Sequence, residues 1–428
     1  MGARSERAGG AARATVAVRL RSGARVPPFA ELEVGALPVL NRPLAAHQEQ
    51  ALAENGLRIV DEVPADAPCV VFSDRCFFNG PALRRLLAAG GHGRAQLTDL
   101  DFWRTTGPLQ PSPAPGVLEL ALLPAGADPE LRTDPWAGPL PLLPLDLGLR
   151  DLGPELPAPH PSMAHALRPV KIGEALAHGL SHWSHLLRIN QLGLAAMGEA
   201  ARGRFEAQSP VRRALQVAGL LLRAGSADPA RVAAALTVRG RGCKVHPTAV
   251  VEACQLGEGV EIGAYSVLRG CLVGEGAKVE EHATVLSSVL GPGAHVGRYG
   301  FSNLCVIDAG ARISNGGGYQ ASVIGAGAFM AWGATALDMS FGREVMVEHE
   351  GQLVESGHHL LGVAVGPRAV VGNRVRLQHG VMVPADAVLV GPADDLLKGW
   401  GPSPVADGPH RAVGGQATPL RARGPAGG

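Results

Sequence analysis

Three consecutive stretches decide the fold: LGEGVEIGAYSVLRGCL (256–272), VGEGAKVEEHATVLSSV (273–289) and LGPGAHVGRYGFSNLCV (290–306). Their first residues continue a column that reads Leu256, Val273, Leu290, Ile307, Ile324 and Phe341, each 17 residues after the last. The next position holds Gly257, Gly274, Gly291, Asp308, Gly325 and Gly342. Four residues after each aliphatic come Val260, Ala277, Ala294, Ala311, Ala328 and Val345, and six after it Ile262, Val279, Val296, Ile313, Met330 and Val347. An inward aliphatic every six residues, with a small residue four later, predicts coils of three short flat strands joined by tight corners. Glycine stands where the chain must turn without a Cβ clash. Coils stacked about 4.8 Å apart pair strand on strand and bury a narrow core. Such a core is expected to exclude rings, in keeping with an aromatic share of only 4%.

The pattern breaks after Val347. Clean six-residue steps resume at Val365, Val371, Leu377, Val383 and Leu389. The coil that starts at Phe341 is thus expected to carry about seven extra residues, with the polar segment EHEGQLVESGHH (348–359) as a projecting loop. Coils are expected from about Val245 to Val390, and a disordered tail from Gly401.

This [LIV]-G-x-x-[AS]-x pattern resembles the hexapeptide-repeat family of left-handed parallel β-helices, which includes acyltransferases and the C-terminal domains of sugar-nucleotide pyrophosphorylases. The resemblance implies an all-β C-terminal domain, an acyl-CoA lying along a coil groove, and a homo-oligomer, with a trimer favoured. An acyltransferase of this kind needs a histidine that takes a proton from the acceptor as it attacks a thioester. His358 and His359 in the polar loop are the first candidates, with His349 beside them and His379 further on.

The N-terminal half opens differently. ATVAVRL (14–20) reads as a strand, SGARVPP (22–28) as a loop, and LPVLNRPL (37–44) leads into a helical run through Leu52. Val70-Val71-Phe72 reads as a second strand with Asp74 at its carboxyl end. Strand, loop, helix, strand opens an α/β domain. In that order the pieces resemble the sugar-1-phosphate nucleotidyltransferases. The resemblance implies that Gly23 and Arg25 cradle a nucleoside triphosphate, that Asp74 holds Mg²⁺, and that the partner is a sugar phosphate or nucleotide sugar. The chain departs from that family where the loop reads LRSGAR and where Val34 stands near the position of its lysine; Lys171 is an alternative cation. These departures make the α/β domain degenerate in expectation. The functional expectation is a transferase of sugar-nucleotide metabolism, and the alternative is a catalytically silent scaffold or ligand sensor.

The implied organisation is a flexible N-terminus (1–13), the nucleotidyltransferase-like α/β domain (14–165), a helical connector (166–242), the β-helix (243–400) and the tail (401–428). With 39 basic and 38 acidic residues, the net charge of +1 argues against a nucleic-acid or anionic-membrane binder. No apolar run approaches the 18 or so residues of a membrane span, and the first 21 residues carry no signal-like apolar stretch. Six cysteines without CxxC spacing do not make a disulfide framework. A cytoplasmic location is expected. His178, His182 and His185 share a spacing that presents imidazoles to one metal, although a His-rich polar face is the simpler expectation. Cys254, Cys271 and Cys305 share a column with Ser288, which reads as inert small-residue packing.

Overall fold

The computed structural model describes residues 14–136, 138–154, 169–391, 410–413 and 416–419. The repeat forms a three-sided parallel β-helix with faces of eight, eight and seven strands. Register follows the 17-residue step: on face one Leu256 pairs with Val273, Leu290, Ile307 and Ile324 in turn. Face two repeats this through Ile262, Val279, Val296, Ile313 and Met330. These residues and the column Val260, Ala277, Ala294, Ala311 and Ala328 are buried. The corner glycine is a steric need: a Cβ on Gly257 would lie 2.6 Å from the backbone nitrogen of Glu275 on the next coil.

Two details differ from the sequence expectation. Tyr319 is fully buried inside the coil, on the inward side of face three. The ring fits because its rung neighbours are Ser302 and the short Ala336 side of the next coil, and because Gly317 removes a Cβ that would stand 3.2 Å from its Cε2. Its hydroxyl donates to the Ala334 carbonyl at 2.7 Å, so the polar tip is satisfied. The second difference is larger. Ile324 pairs directly with Val365, so a whole passage between face three and face one leaves the coil. Phe341, aligned with the inward column, is 76% exposed, while Val345 and Val347 pack into the core of the N-terminal domain. Apolar residues destined for another core thus mimic the coil period. The excursion carries an antiparallel hairpin of Met346–His349 and Gln352–Glu355.

The N-terminal domain is a six-stranded sheet in the order Arg58–Val60, Val16–Leu20, Cys69–Ser73, Val117–Leu123, Gly93–Leu97, Leu142–Leu145. Val117–Leu123 runs antiparallel to both neighbours and the other pairings are parallel. Helices α1 (Leu44–Glu54), α2 (Gly80–Ala88), α3 (Leu100–Thr106) and the short α4 (Pro129–Thr133) connect them. The α/β expectation for this half is met; its likeness to nucleotidyltransferases has no further support.

Helix α5 (Trp183–Glu206) lies in the seam between the domains. It was expected in a connector, yet the strand Ala177–Gly179 before it pairs with Cys76–Phe78, and Trp183, Leu186 and Ile189 are buried. Face one supplies the other wall. Its outward residues Val289, Val306, Val323 and Ala364 are buried, the last three in one cluster with Trp183 and Val347. Polar ties cross the same seam: Asn41 Nδ2 donates to the Leu290 carbonyl at 2.8 Å, Gln191 Nε2 to that of Leu304 at 3.0 Å, and Arg368 forks onto Glu31. Of the expected connector, α6 (Pro210–Ala224) and α7 (Pro229–Ala235) bury no residue. Within the tail expected to be disordered, His410–Val413 and Gln416–Pro419 pair as a hairpin; its remaining residues lie outside the described ones, as do residues 1–13.

Candidate functional site

Two places hold the residues singled out by sequence. The first is the carboxyl edge of the N-terminal sheet. Asp74 follows its strand directly, and its backbone N–H donates to the Leu20 carbonyl at 2.9 Å. Its Oδ1 accepts from the N–H and the Oγ–H of Ser22, at 3.0 and 2.6 Å. Ser22 Oγ accepts in turn from the Ala24 N–H at 3.1 Å. The fully buried Gln48 pins the next turn by donating to the carbonyls of Ser73 and Cys76. Gly23 sits in this loop with φ +66° and open space where a Cβ would be.

The structure therefore brings Ser22 rather than Arg25 to Asp74. Arg25 is exposed and its Nη1 donates to the Glu31 carbonyl at 3.3 Å. Val34 is fully buried in the core, so no cation stands there. Lys171 holds both oxygens of Asp99, at 2.8 and 2.9 Å, and is committed to the start of α3. Arg75, next to Asp74, forks onto Glu119. Nucleotidyl transfer requires several cations converging on the phosphates. With one Asp74 oxygen engaged by Ser22 and with Arg25, Lys171 and Arg75 engaged elsewhere, the exposed Arg21 alone does not supply the converging cations, and the residues present do not fit a triphosphate with Mg²⁺. Among the described residues no group of three or more His, Cys, Asp or Glu could hold a metal ion.

The second place is where the excursion leaves and rejoins the coil. Residues 338–340 run beside 359–361: the Leu361 N–H donates to the Asp338 carbonyl at 2.8 Å and the Ser340 N–H to that of His359 at 2.9 Å. On the other side, the Leu337 N–H donates to the Leu377 carbonyl at 2.9 Å and the Gly380 N–H to that of Gly362 at 2.6 Å. Asp338, His359 and His379 are thereby gathered at one corner. Burial pushes the Asp338 carboxyl above its ordinary range, while backbone N–H groups and the charge of His379 pull it back. The Nδ1 atoms of His359 and His379 are buried with no hydrogen-bond partner among the described residues.

His358 is placed differently. Its Nδ1 lies 3.3 Å from Arg188 Nη2. A guanidinium only donates, so Nδ1 is the acceptor and a neutral ring carries its proton on Nε2. His349 packs its ring against His182, 5.6 Å between centroids. Sequence reasoning found the histidines of this corner but missed Asp338. The missing signal was the position where the 17-residue step fails, because a carboxylate at the first residue off the coil faces both strands of the break.

His178, His182 and His185 form a buried cluster rather than a metal site. His182 caps α5: its Nδ1 accepts from the Ser184 N–H at 3.2 Å, and Nε2–H donates to the Glu348 carbonyl at 3.3 Å. His185 Nδ1 accepts from the N–H groups of Ser181 and His182, both at 3.2 Å, and Nε2–H donates to the Pro108 carbonyl at 2.7 Å. In these two rings the lone pair and the proton are both in use. Burial depresses their pKa values to about 3 for His182 and about 4 for His185 and holds His178 well below the ordinary range, with like charge added by His185 at His178 and His182 and by His349 at His182 and His185. The cysteine column is packing: Cys254, Cys271 and Cys305 are buried and free, and burial pushes Cys305 up to about 12.

No protein-family model matches the chain, and no curated protein matches it. Among solved structures, the acetyltransferase domain of PglB from Neisseria gonorrhoeae in complex with acetyl coenzyme A is 19% identical, over 35% of this chain and 55% of that one, with a TM-score of 0.22. A GDP-perosamine N-acetyl transferase from Caulobacter crescentus, in complex with CoA and GDP-perosamine, is 17% identical over 36% and 54%, TM-score 0.20. The polysialic acid O-acetyltransferase OatWY is 15% identical over 36% and 75%, TM-score 0.19. The chain spans little more than half the length of the first two.

Proposed function

We propose that the chain transfers an acyl group from a thioester to a hydroxyl or amine of a sugar-type acceptor, at the corner where the excursion leaves the coil. The observation that carries this reading is the half-buried Asp338 carboxyl beside His379, whose Nδ1 has no partner among the described residues. His379 takes the acceptor proton as the acceptor oxygen or nitrogen attacks the thioester carbonyl. The tetrahedral intermediate collapses with cleavage of the carbon–sulfur bond, and the imidazolium returns the proton to the departing thiolate. Asp338 is the positioning residue that favours the imidazolium in that interval. His359, whose backbone pairs with Ser340 beside Asp338, is a second histidine at the break. His358 does not serve as base, since its bare nitrogen is held by Arg188.

A thermal-shift comparison on the full chain tests the reading. Acetyl-CoA at 100 times its dissociation constant stabilises by about 2.7 kcal/mol, and any shift from a nucleoside triphosphate with Mg²⁺ is the same in Asp74→Asn as in the parent. A shift with the triphosphate that is lost in Asp74→Asn, with none from acetyl-CoA, would move the activity to the N-terminal domain.

A further inference from the structure

One corner of the β-helix carries a ladder of rings. Tyr265, His282 and Tyr299 follow one another at 17-residue intervals, their centroids 5.1 Å apart and their planes within 15° and 10° of parallel. All three hold left-handed backbone, with φ of 59°, 60° and 58°. Bulky residues adopt that conformation only at a cost in backbone strain. Glycine serves the same corner on the next two rungs, as Gly316 (φ 69°) and Gly333 (φ 67°), and the rung after those is Arg374. The ladder therefore stops at Tyr299, which is 66% exposed, and its outer ring face looks across two rungs without side chains. With rungs about 4.8 Å apart, Tyr299 and Arg374 stand roughly 14 Å from each other.

The far end of this gap is cationic. Arg374 lies 4.8 Å over the Trp332 ring. On the adjoining face, Gly318, Thr335 and Arg376 follow one another across the same rungs, and Arg376 is exposed. Three other arginines on the coil are matched to acids, Arg269 with Glu252, Arg298 with Glu281 and Arg368 with Asp386, while Arg312 donates to His295. Neither Arg374 nor Arg376 has a carboxylate partner among the described residues.

We propose that this gap binds a nucleotide. The base stacks on the outer face of Tyr299 above Gly316, the ribose crosses Gly333, and the phosphates meet Arg374 and Arg376. Ring faces accept any base, and guanidinium groups suit phosphate oxygens in pairs. The nucleotide has two sources, the nucleotide end of a coenzyme A thioester or that of a nucleotide-linked acceptor. Assigning it to a substrate rests on the acyl-transfer reading; the binding itself does not. From Gly333 to Asp338 the chain advances five residues, about 16 Å of extended strand, so an arm leaving the gap along face three arrives at His379.

Isothermal titration of the full chain with adenosine 3′,5′-bisphosphate, UDP and GDP tests this. One equivalent per chain is expected to bind, and the preferred nucleotide distinguishes the thioester carrier from the acceptor. Gly316→Tyr extends the ladder in a backbone conformation that Tyr299 already adopts, with nothing within 4 Å of the added Cβ, and is expected to abolish binding. Tyr299→Ala weakens binding by about tenfold and serves if Gly316→Tyr lowers the melting temperature. Arg374→Ala flattens the salt dependence. No binding by any of the three nucleotides, or binding indifferent to both Gly316→Tyr and Tyr299→Ala, overturns the proposal. Thiol release from acetyl-CoA over a panel of sugar hydroxyl and amine acceptors separates the two readings. If it is absent while nucleotide binding responds to Gly316→Tyr, the acyl-transfer reading fails and this site stands.

Discussion

Val306→Asp is expected to lower the unfolding free energy by roughly 3–5 kcal/mol, because it leaves a charge with no partner in a dry seam. Val306 points outward from the coil, where a lone β-helix would meet water, yet it is 3% exposed and packs in the cluster of Trp183 and Val347. The control is Val250→Asp, also outward but on face three and 37% exposed, which should stay within about 0.5 kcal/mol of the parent. Urea unfolding of the two variants decides the matter. Equal effects would mean that face one is not covered by the N-terminal domain and α5.

Acid is expected to destabilise the protein well before its carboxylates titrate. His182 and His185 are held neutral in the fold, with pKa values of about 3 and about 4 against an ordinary 6.5. The unfolded chain therefore binds more protons than the folded one between pH 6.5 and 4. Stability from these groups is fully present above pH 6.5 and falls as the pH drops toward their folded values, by ~1.4 kcal/mol per proton per pH unit. His178, also held neutral, steepens the fall. His182→Asn keeps an oxygen to cap α5 and removes one titrating ring, so its stability should decline less steeply over that window. A decline that begins only below pH 4.5 in the parent would contradict the neutral cluster.

The β-helix was legible because its rule is local: an aliphatic each six residues and a glycine where the next coil leaves no room for a Cβ. It failed at Phe341, Val345 and Val347, whose period fits the coil although Val345 and Val347 serve the seam. Tyr319 broke the rule against rings because Ser302 and Gly317 make space for one. A second signal went unread. On face one the residue before the inward aliphatic is Gln255 on one rung and then Leu272, Val289, Val306 and Val323, whereas on face two the matching rungs hold Glu261, Lys278, His295, Arg312 and then Phe329. A strand apolar on both sides announces a covering layer. The site was half legible for a related reason. Histidines can be picked out along a chain, but what surrounds each ring depends on residues far away, as Arg188 does for His358 and the charge of Asp338 for His379. At Asp74 the loop matched in order, yet Val34 serves the core and Lys171 serves Asp99, a choice that only packing reveals.

The most direct measurement is the rate of thiol release from acetyl-CoA by the full chain, over a panel of sugar hydroxyl and amine acceptors, for the parent, His379→Gln and His358→Gln. Loss of a general base of this kind costs about 10²–10⁴ in rate. The expected result is that loss in His379→Gln, and a rate within a few-fold of the parent for His358→Gln. Release in His379→Gln equal to that of the parent would contradict the assignment of acyl transfer to the Asp338–His379 corner.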